Sequence, residues 1–158
     1  MTQALHPNAR RVADALAAAD AAGAVRELSE PATTAAQAAA QLGVEVGAIA
    51  NSLVFAADGE PVLVLTSGAH RVDTARVARL LGVSAVHRAD PDLVRAATGQ
   101  PIGGVAPVGH PRRLRTLVDV ALAPHPVVWA AGGTPHTVFP TSYPELLRIT
   151  GGRPAEVA

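Results

Sequence analysis

The sequence predicts one α/β domain over residues 1–158, built on a mixed, largely antiparallel sheet. Three observations carry this. Helical and strand patterns follow one another without the strict strand–helix–strand repeat of a parallel sheet. Two apolar runs, residues 49–56 and 62–66, flank Asp58-Gly59, a dipeptide suited to the tight turn of an antiparallel hairpin. Helix patterns open on Ser, Thr or Asp caps and stop at glycine.

The elements follow in order. Residues 8–22 read as an amphipathic helix, with Val12, Leu16 and Ala19 on one face and Gly23 closing it. Residues 25–28 are a short strand. Thr34-x-x-Gln37 is a capping-box pattern that opens an alanine-rich helix ending at Gly43. After the hairpin, Asp73 or Thr74 caps a helix that runs to Leu81 and stops at Gly82. Residues 83–87 are strand-like. Asp90-Pro91 supplies a cap and a first-turn proline for a helix to Thr98, ended by Gly99. Residues 115–122, 127–131 and 136–139 read as strands. Ser142-x-x-Glu145, with Pro144 between, caps a last helix to Thr150, stopped by Gly151-Gly152. No repeat, linker or low-complexity tract interrupts the series.

Composition narrows the chemistry. Nearly half the residues are apolar, but only 3% are aromatic. The predicted core is therefore aliphatic, anchored by Trp129, Phe55 and Phe139. Thirteen basic residues balance thirteen acids, so there is no general pull toward a long polyanion. All the basic residues are arginine. Absence of cysteine excludes disulfides, thiolate catalysis and zinc–cysteine sites. The first seven residues lack a charged-then-apolar leader pattern. The apolar stretch 117–131 is broken by Asp119, Pro124, His125 and Pro126, so it does not span a bilayer. The expectation is a soluble cytoplasmic protein.

Two glycine-rich loops dominate the rest: residues 102–110, Ile-Gly-Gly-Val-Ala-Pro-Val-Gly-His, and residues 131–136, Ala-Gly-Gly-Thr-Pro-His. Paired glycines uncover main-chain N–H groups and let a ligand come close to the backbone. Together with Ile-Ala-Asn-Ser-Leu-Val-Phe (49–55) and Leu-Thr-Ser-Gly-Ala-His-Arg-Val-Asp (65–73), they resemble the YbaK/EbsC family of prolyl-tRNA editing aminoacyl-tRNA deacylases. The resemblance runs from about Ala9 to Gly152. It implies a strongly curved sheet flanked by helices. It also implies hydrolysis of an amino acid wrongly attached to tRNA: tRNA(Pro) carrying alanine, cysteine or another small residue. The partners it implies are the tRNA acceptor end and prolyl-tRNA synthetase, with no cofactor, no metal and no membrane.

The resemblance also assigns residues. Gly103 through Pro107 matches the family's glycine-x-x-x-proline loop, which makes Gly103 and Gly104 catalytic donors and Val105 and Pro107 substrate contacts. His136 falls where prolyl editing domains have a functional histidine. Asn51 stands where the family usually has a lysine, so a neutral amide replaces a charged amine. Ser52, Ser67, Arg71, Gly132 and Gly133 complete the predicted substrate site. Alternation along a strand puts Asn51 and Ser52 on opposite faces, so that only one of them enters a pocket unless a bulge intervenes. The resemblance favours Asn51. An already reactive ester needs no metal or covalent nucleophile, because positioning and oxyanion stabilisation supply the acceleration.

Two alternatives stay open. One is a binding module of the same fold that lost turnover with the lysine. The other is a zinc hydrolase built on His70, His110 and His136, whose spacing lacks the i, i+4 pair of a helical metal site. Arg76 and Arg79 on one helix face, and Arg112, Arg113 and Arg115 after the first loop, are candidate tRNA-facing patches.

Overall fold

The computed structural model describes residues 5–158, so the leader reading lies partly outside the described residues. Five α-helices and eight strands are interspersed along the described residues. They are α1 (Pro7–Ala18), β1 (Arg26–Glu27), α2 (Ala35–Leu42), β2 (Ile49–Ala57), β3 (Glu60–Ser67), α3 (Thr74–Leu81), β4 (Val86–Arg88) and α4 (Pro91–Thr98). There follow β5 (Arg115–Asp119), β6 (Val128–Ala131), β7 (Thr137–Thr141), α5 (Tyr143–Thr150) and β8 (Arg153–Ala155). All the strands join one sheet in the order β1-β7-β6-β2-β3-β5-β8, with β4 added to β2. The β2–β6, β3–β5 and β5–β8 pairs are parallel and the other four antiparallel, the mixed α/β architecture the sequence predicts.

Local chemistry sets most of the boundaries. Thr34 accepts the Gln37 N–H at 3.1 Å, Asp73 that of Arg76 at 3.1 Å, Asp90 that of Leu93 at 2.8 Å and Ser142 that of Glu145 at 3.2 Å. Gly43, Gly82, Gly99 and Gly151 close α2 to α5 in the left-handed region, where glycine carries no Cβ penalty. The β2–β3 turn places Asp58 and Gly59 at φ 48° and 88°, as a primed hairpin turn requires.

Long-range pairing moves the other boundaries. The first helix stops at Ala18, not near Gly23, because Asp20 turns left-handed at φ 55°. Gly23 instead lies where any Cβ would collide with Pro140. β4 starts three residues later than the apolar run suggests. The Asp58 carboxylate accepts the Ser84 and Ala85 N–H groups at 3.0 and 2.9 Å, which takes them out of the ladder. These two bonds also hold the Asp58 carboxyl below its usual range. β5 ends at Asp119, whose side chain accepts the Ala121 N–H at 2.9 Å and opens a 3-10 turn over Val120–Leu122. β8 is unpredicted; proline in a three-residue strand hides it, and it pairs with β5 from the edge.

Two main cores sandwich the sheet. One face packs Val12, Leu16, Ala50, Val54, Leu65, Phe139 and Leu146 under α1, α4 and α5; the other packs Phe55, Val64, Val77, Leu81 and Leu117 under α3. Phe55 and Phe139 are anchors as predicted, but Trp129 is only half buried, with the Arg26 guanidinium 5.0 Å from its ring centroid. No helix of the described residues is long and apolar enough to cross a membrane.

The arrangement at the outer edge of β2 positions the site. β6 covers that edge only at Ile49–Ala50, and β4 covers it only at Phe55–Ala57. Between them the edge is open, apart from the Ala89 N–H donating to the Val54 carbonyl at 3.1 Å.

Candidate functional site

A cavity of about 270 Å³ opens at this gap. Its walls are the β2 edge from Ile49 to Val54, the start of α2 (Thr33 to Ala35), the first glycine loop, Trp129 to Ala131 of β6, Thr134, Pro135, Thr137 and Val138, and Arg88-Ala89. Most of the lining is aliphatic.

Asn51 and Ser52 both line the cavity. The β2–β3 register is unbroken across them, so no bulge brings them together. The expectation that only one of the pair enters is corrected by geometry: the cavity lies at a strand edge, and an edge is reached from both faces. Ile49 accepts from Gly68 at 2.8 Å, which makes Ile49–Gly68 a hydrogen-bonded pair. Alternation then turns the Asn51 main chain toward β3 and the Ser52 N–H and C=O toward the gap. The Ser52 Oγ is buried and has no hydrogen-bond partner; among the described residues only the Arg76 Nε shares that condition. The Asn51 side chain is half buried and likewise makes no hydrogen bond within the described protein.

In the first loop, Gly103 and Val105 line the cavity, and Gly103 adopts φ 93° beside Thr33. Their N–H groups have no acceptor among the described residues. Gly104 is different. Its N–H donates to the Pro101 carbonyl at 3.2 Å, and a Cβ on it would lie 2.6 Å from the Thr134 carbonyl carbon. The glycine at 104 lets the two loops press together. Pro107 is buried away from the cavity, where the Ala106 N–H is bound by the Gln100 Oε1 at 2.7 Å.

The second loop follows the same logic. The Gly132 N–H donates to Thr137 at 2.8 Å, and the Thr134 Oγ1 and Thr137 Oγ1 share a hydrogen bond of 2.9 Å. Gly133, at φ 104°, has a Cβ position 2.9 Å from the Asn8 carbonyl. Neither glycine lines the cavity; Thr134, Pro135 and Thr137 do. His136 is exposed outside the lining, its N–H on the Thr134 Oγ1 at 3.2 Å and its carbonyl accepting from Leu28 at 2.6 Å.

Ser67 and Arg71 also lie outside the cavity. Ser67 is buried, its Oγ donating to the Gly47 carbonyl at 2.9 Å and its N–H to the Asp119 carboxylate at 2.9 Å. That carboxylate is fully buried and takes His70 Nδ1 at 2.9 Å as well. Arg71 is exposed, and Asp73 serves as the α3 cap. The three-histidine zinc reading fails on placement. His70 sits on Asp119, His110 on the Ala106 carbonyl at 2.7 Å, and His136 at the start of β7. No three His, Cys, Asp or Glu side chains of the described residues come together to hold a metal.

His110 gives a pH signature. Burial pushes its imidazole below the ordinary value of 6.5, against the opposing bond to Ala106. The unfolded chain therefore binds more protons than the folded one between the depressed and ordinary values. Stability is present above 6.5 and falls as pH drops through it. Thermal midpoints measured from pH 8 to 5 are expected to decline at the acid end. In His110→Gln, which keeps a donor for Ala106, that decline should be reduced.

The cavity residues that sequence reasoning missed include Arg88, Trp129 and Thr33. None sits in a motif, and only tertiary pairing brings them to the gap.

The sequence and fold match known proteins. Residues 29–149 match the model of the aminoacyl-tRNA editing domain, and the chain belongs to that family. It is 37% identical over 103 residues to a proline–tRNA ligase of Nitratidesulfovibrio vulgaris, covering 65% of this chain but only 18% of the ligase. It is 31% identical over 123 residues to the uncharacterized protein YwhH of Bacillus subtilis, covering 77% and 78% of the two chains. A solved structure of a protein proposed as a trans-editing enzyme for prolyl tRNA synthetase superposes with a TM-score of 0.91, at 42% identity over 98% of each chain. The chain is thus an aminoacyl-tRNA editing domain related to those associated with prolyl-tRNA synthetase.

Proposed function

We propose that the chain, one domain over residues 1–158, acts as a cytoplasmic deacylase, which hydrolyses the ester of mischarged tRNA(Pro) and works in trans to prolyl-tRNA synthetase. The observation that carries this is the cavity at the β2 gap, small and aliphatic, with main-chain donors on its wall and the buried, unpartnered Ser52 hydroxyl beside it. A synthetic site built for proline cannot reject smaller amino acids well, since one methylene is worth about 1–3 kcal/mol. A second pocket that admits alanine or cysteine and excludes proline corrects the error.

The chemistry needs no ionised catalyst. Water attacks the ester carbonyl, negative charge develops on its oxygen, and the ribose oxygen leaves with a proton. The Gly103 and Val105 N–H groups are the donors for that oxyanion, and the Asn51 amide and Ser52 hydroxyl hold the water and the α-amino group. Each preorganised donor at such a site is worth roughly 3–4 kcal/mol of barrier.

The neutral Asn51 favours a second reading, a binding module without turnover. Incubating the protein with tRNA(Pro) charged separately with alanine, cysteine and proline separates the two. Release of alanine or cysteine with proline spared is the expected result. Binding of all three without release would establish the module.

A further inference from the structure

The cavity wall contains one ionisable side chain among the described residues, Arg88. Arg88 ends β4, directly across from Phe55, with its guanidinium carbon 5.9 Å from the Phe55 ring centroid. That contact sets the guanidinium itself beside the ring, and its donors make no hydrogen bond among the described residues. Arg88 is exposed and makes no ion pair among the described residues. The nearest acid in sequence, Asp90, is committed to capping α4 through the Leu93 N–H at 2.8 Å. The opposite end of the gap, at Asn51 and Ser52, is neutral. Among the lining side chains the charge is therefore one-sided; the Arg26 guanidinium lies behind the lining, against the Trp129 ring.

We propose that Arg88 holds the phosphodiester on the 5′ side of the terminal adenosine and so fixes which way round the substrate lies. It rests on the editing reading of the cavity. An aminoacylated RNA end carries two charges, a negative phosphodiester and a positive α-ammonium. A guanidinium attracts the first, with a fork that fits two phosphate oxygens, and repels the second. The neutral amide and hydroxyl at Asn51 and Ser52 are then left for the aminoacyl group. Arg88 lies opposite Phe55, four residues along β2 from Asn51, about 13 Å at strand rise. That span exceeds an amino acid and suits a nucleotide with its acyl group.

The test uses a non-hydrolysable probe, adenosine carrying alanine in amide linkage at its 3′ position, prepared with and without a 5′-phosphate. Wild-type protein is expected to bind the phosphorylated probe about three- to ten-fold tighter, between the values of an exposed and a desolvated charged contact. Arg88→Ala should bind both probes alike, at the wild-type affinity for the unphosphorylated one, and Arg88→Lys should fall between. On whole tRNA, Arg88→Ala should flatten the salt dependence by roughly one phosphate contact, a slope change near 0.7. Phosphate preference absent from the wild type, or retained in Arg88→Ala, overturns the proposal and leaves the deacylase reading intact. Preference that is lost in Arg88→Ala, in a protein that releases no amino acid from tRNA, supports the clamp and overturns turnover. Failure of both probes to bind overturns both.

Discussion

Gly104→Ala is expected to destabilise the protein by about 1–3 kcal/mol, toward the upper end, and to abolish release of amino acid from tRNA. The added Cβ would lie 2.6 Å from the Thr134 carbonyl carbon, 2.8 Å from its Cα and 2.9 Å from the Pro135 nitrogen. All three are backbone atoms, so no rotamer change relieves the contact, and one loop must move. Thr134 and Pro135 both line the cavity, and the two neighbours of Gly104 carry its free amides. A shift of either loop therefore displaces the donors from the developing oxyanion. Gly103→Ala is the informative contrast. Its Cβ meets only Thr33, at 3.5 Å, so its cost is the backbone strain of φ 93° without a collision. Thermal melts and deacylation rates of the two variants check this. Wild-type stability in Gly104→Ala would mean the loops are not pressed together as described.

That contact also marks what the sequence made legible. Paired glycines signal that something approaches the backbone closely, but not whether it is a ligand or another loop. At Gly103 the neighbouring space is the cavity; at Gly104 and Gly133 it is protein. Signals complete within a few residues were readable: the caps at Thr34, Asp73, Asp90 and Ser142, the Asp58-Gly59 turn, and the glycine helix stops. Signals that depend on distant partners were not. The gap in the β2 edge exists because β6 leaves after Ala50 and β4 arrives at Phe55, and those two strands come from segments far apart in sequence. Strand alternation correctly assigns Asn51 and Ser52 to opposite faces, yet the edge opening admits both. Arg88 and Trp129 carry no local pattern that would single them out. Ser67 belongs to the predicted substrate site, but its polar atoms are spent on Gly47 and the buried Asp119.

The second large effect is expected at Ser52, and it should separate stability from function. Ser52→Ala is expected to leave the thermal midpoint unchanged or slightly raised while lowering kcat/KM by roughly ten- to a hundred-fold, the equivalent of about 1.5–3 kcal/mol for a hydrogen bond to a charged group. A buried hydroxyl without a protein partner forfeits the bonds it made to water in the unfolded chain, at a cost of about 1–3 kcal/mol. Removing it takes away that penalty, and the cavity left by one oxygen is small. A ligand or ordered water that uses the hydroxyl loses its partner in the same step. Because the Ser52 N–H and C=O also face the gap, the variant keeps main-chain contacts and should retain residual binding. Asn51→Ala, whose amide is half buried, removes a group with no internal bond of its own and should cost turnover with little change in the melt. If Ser52→Ala instead loses stability and activity in proportion, the hydroxyl is bonded within the protein. The open β2 edge would then have to bind substrate through main chain alone.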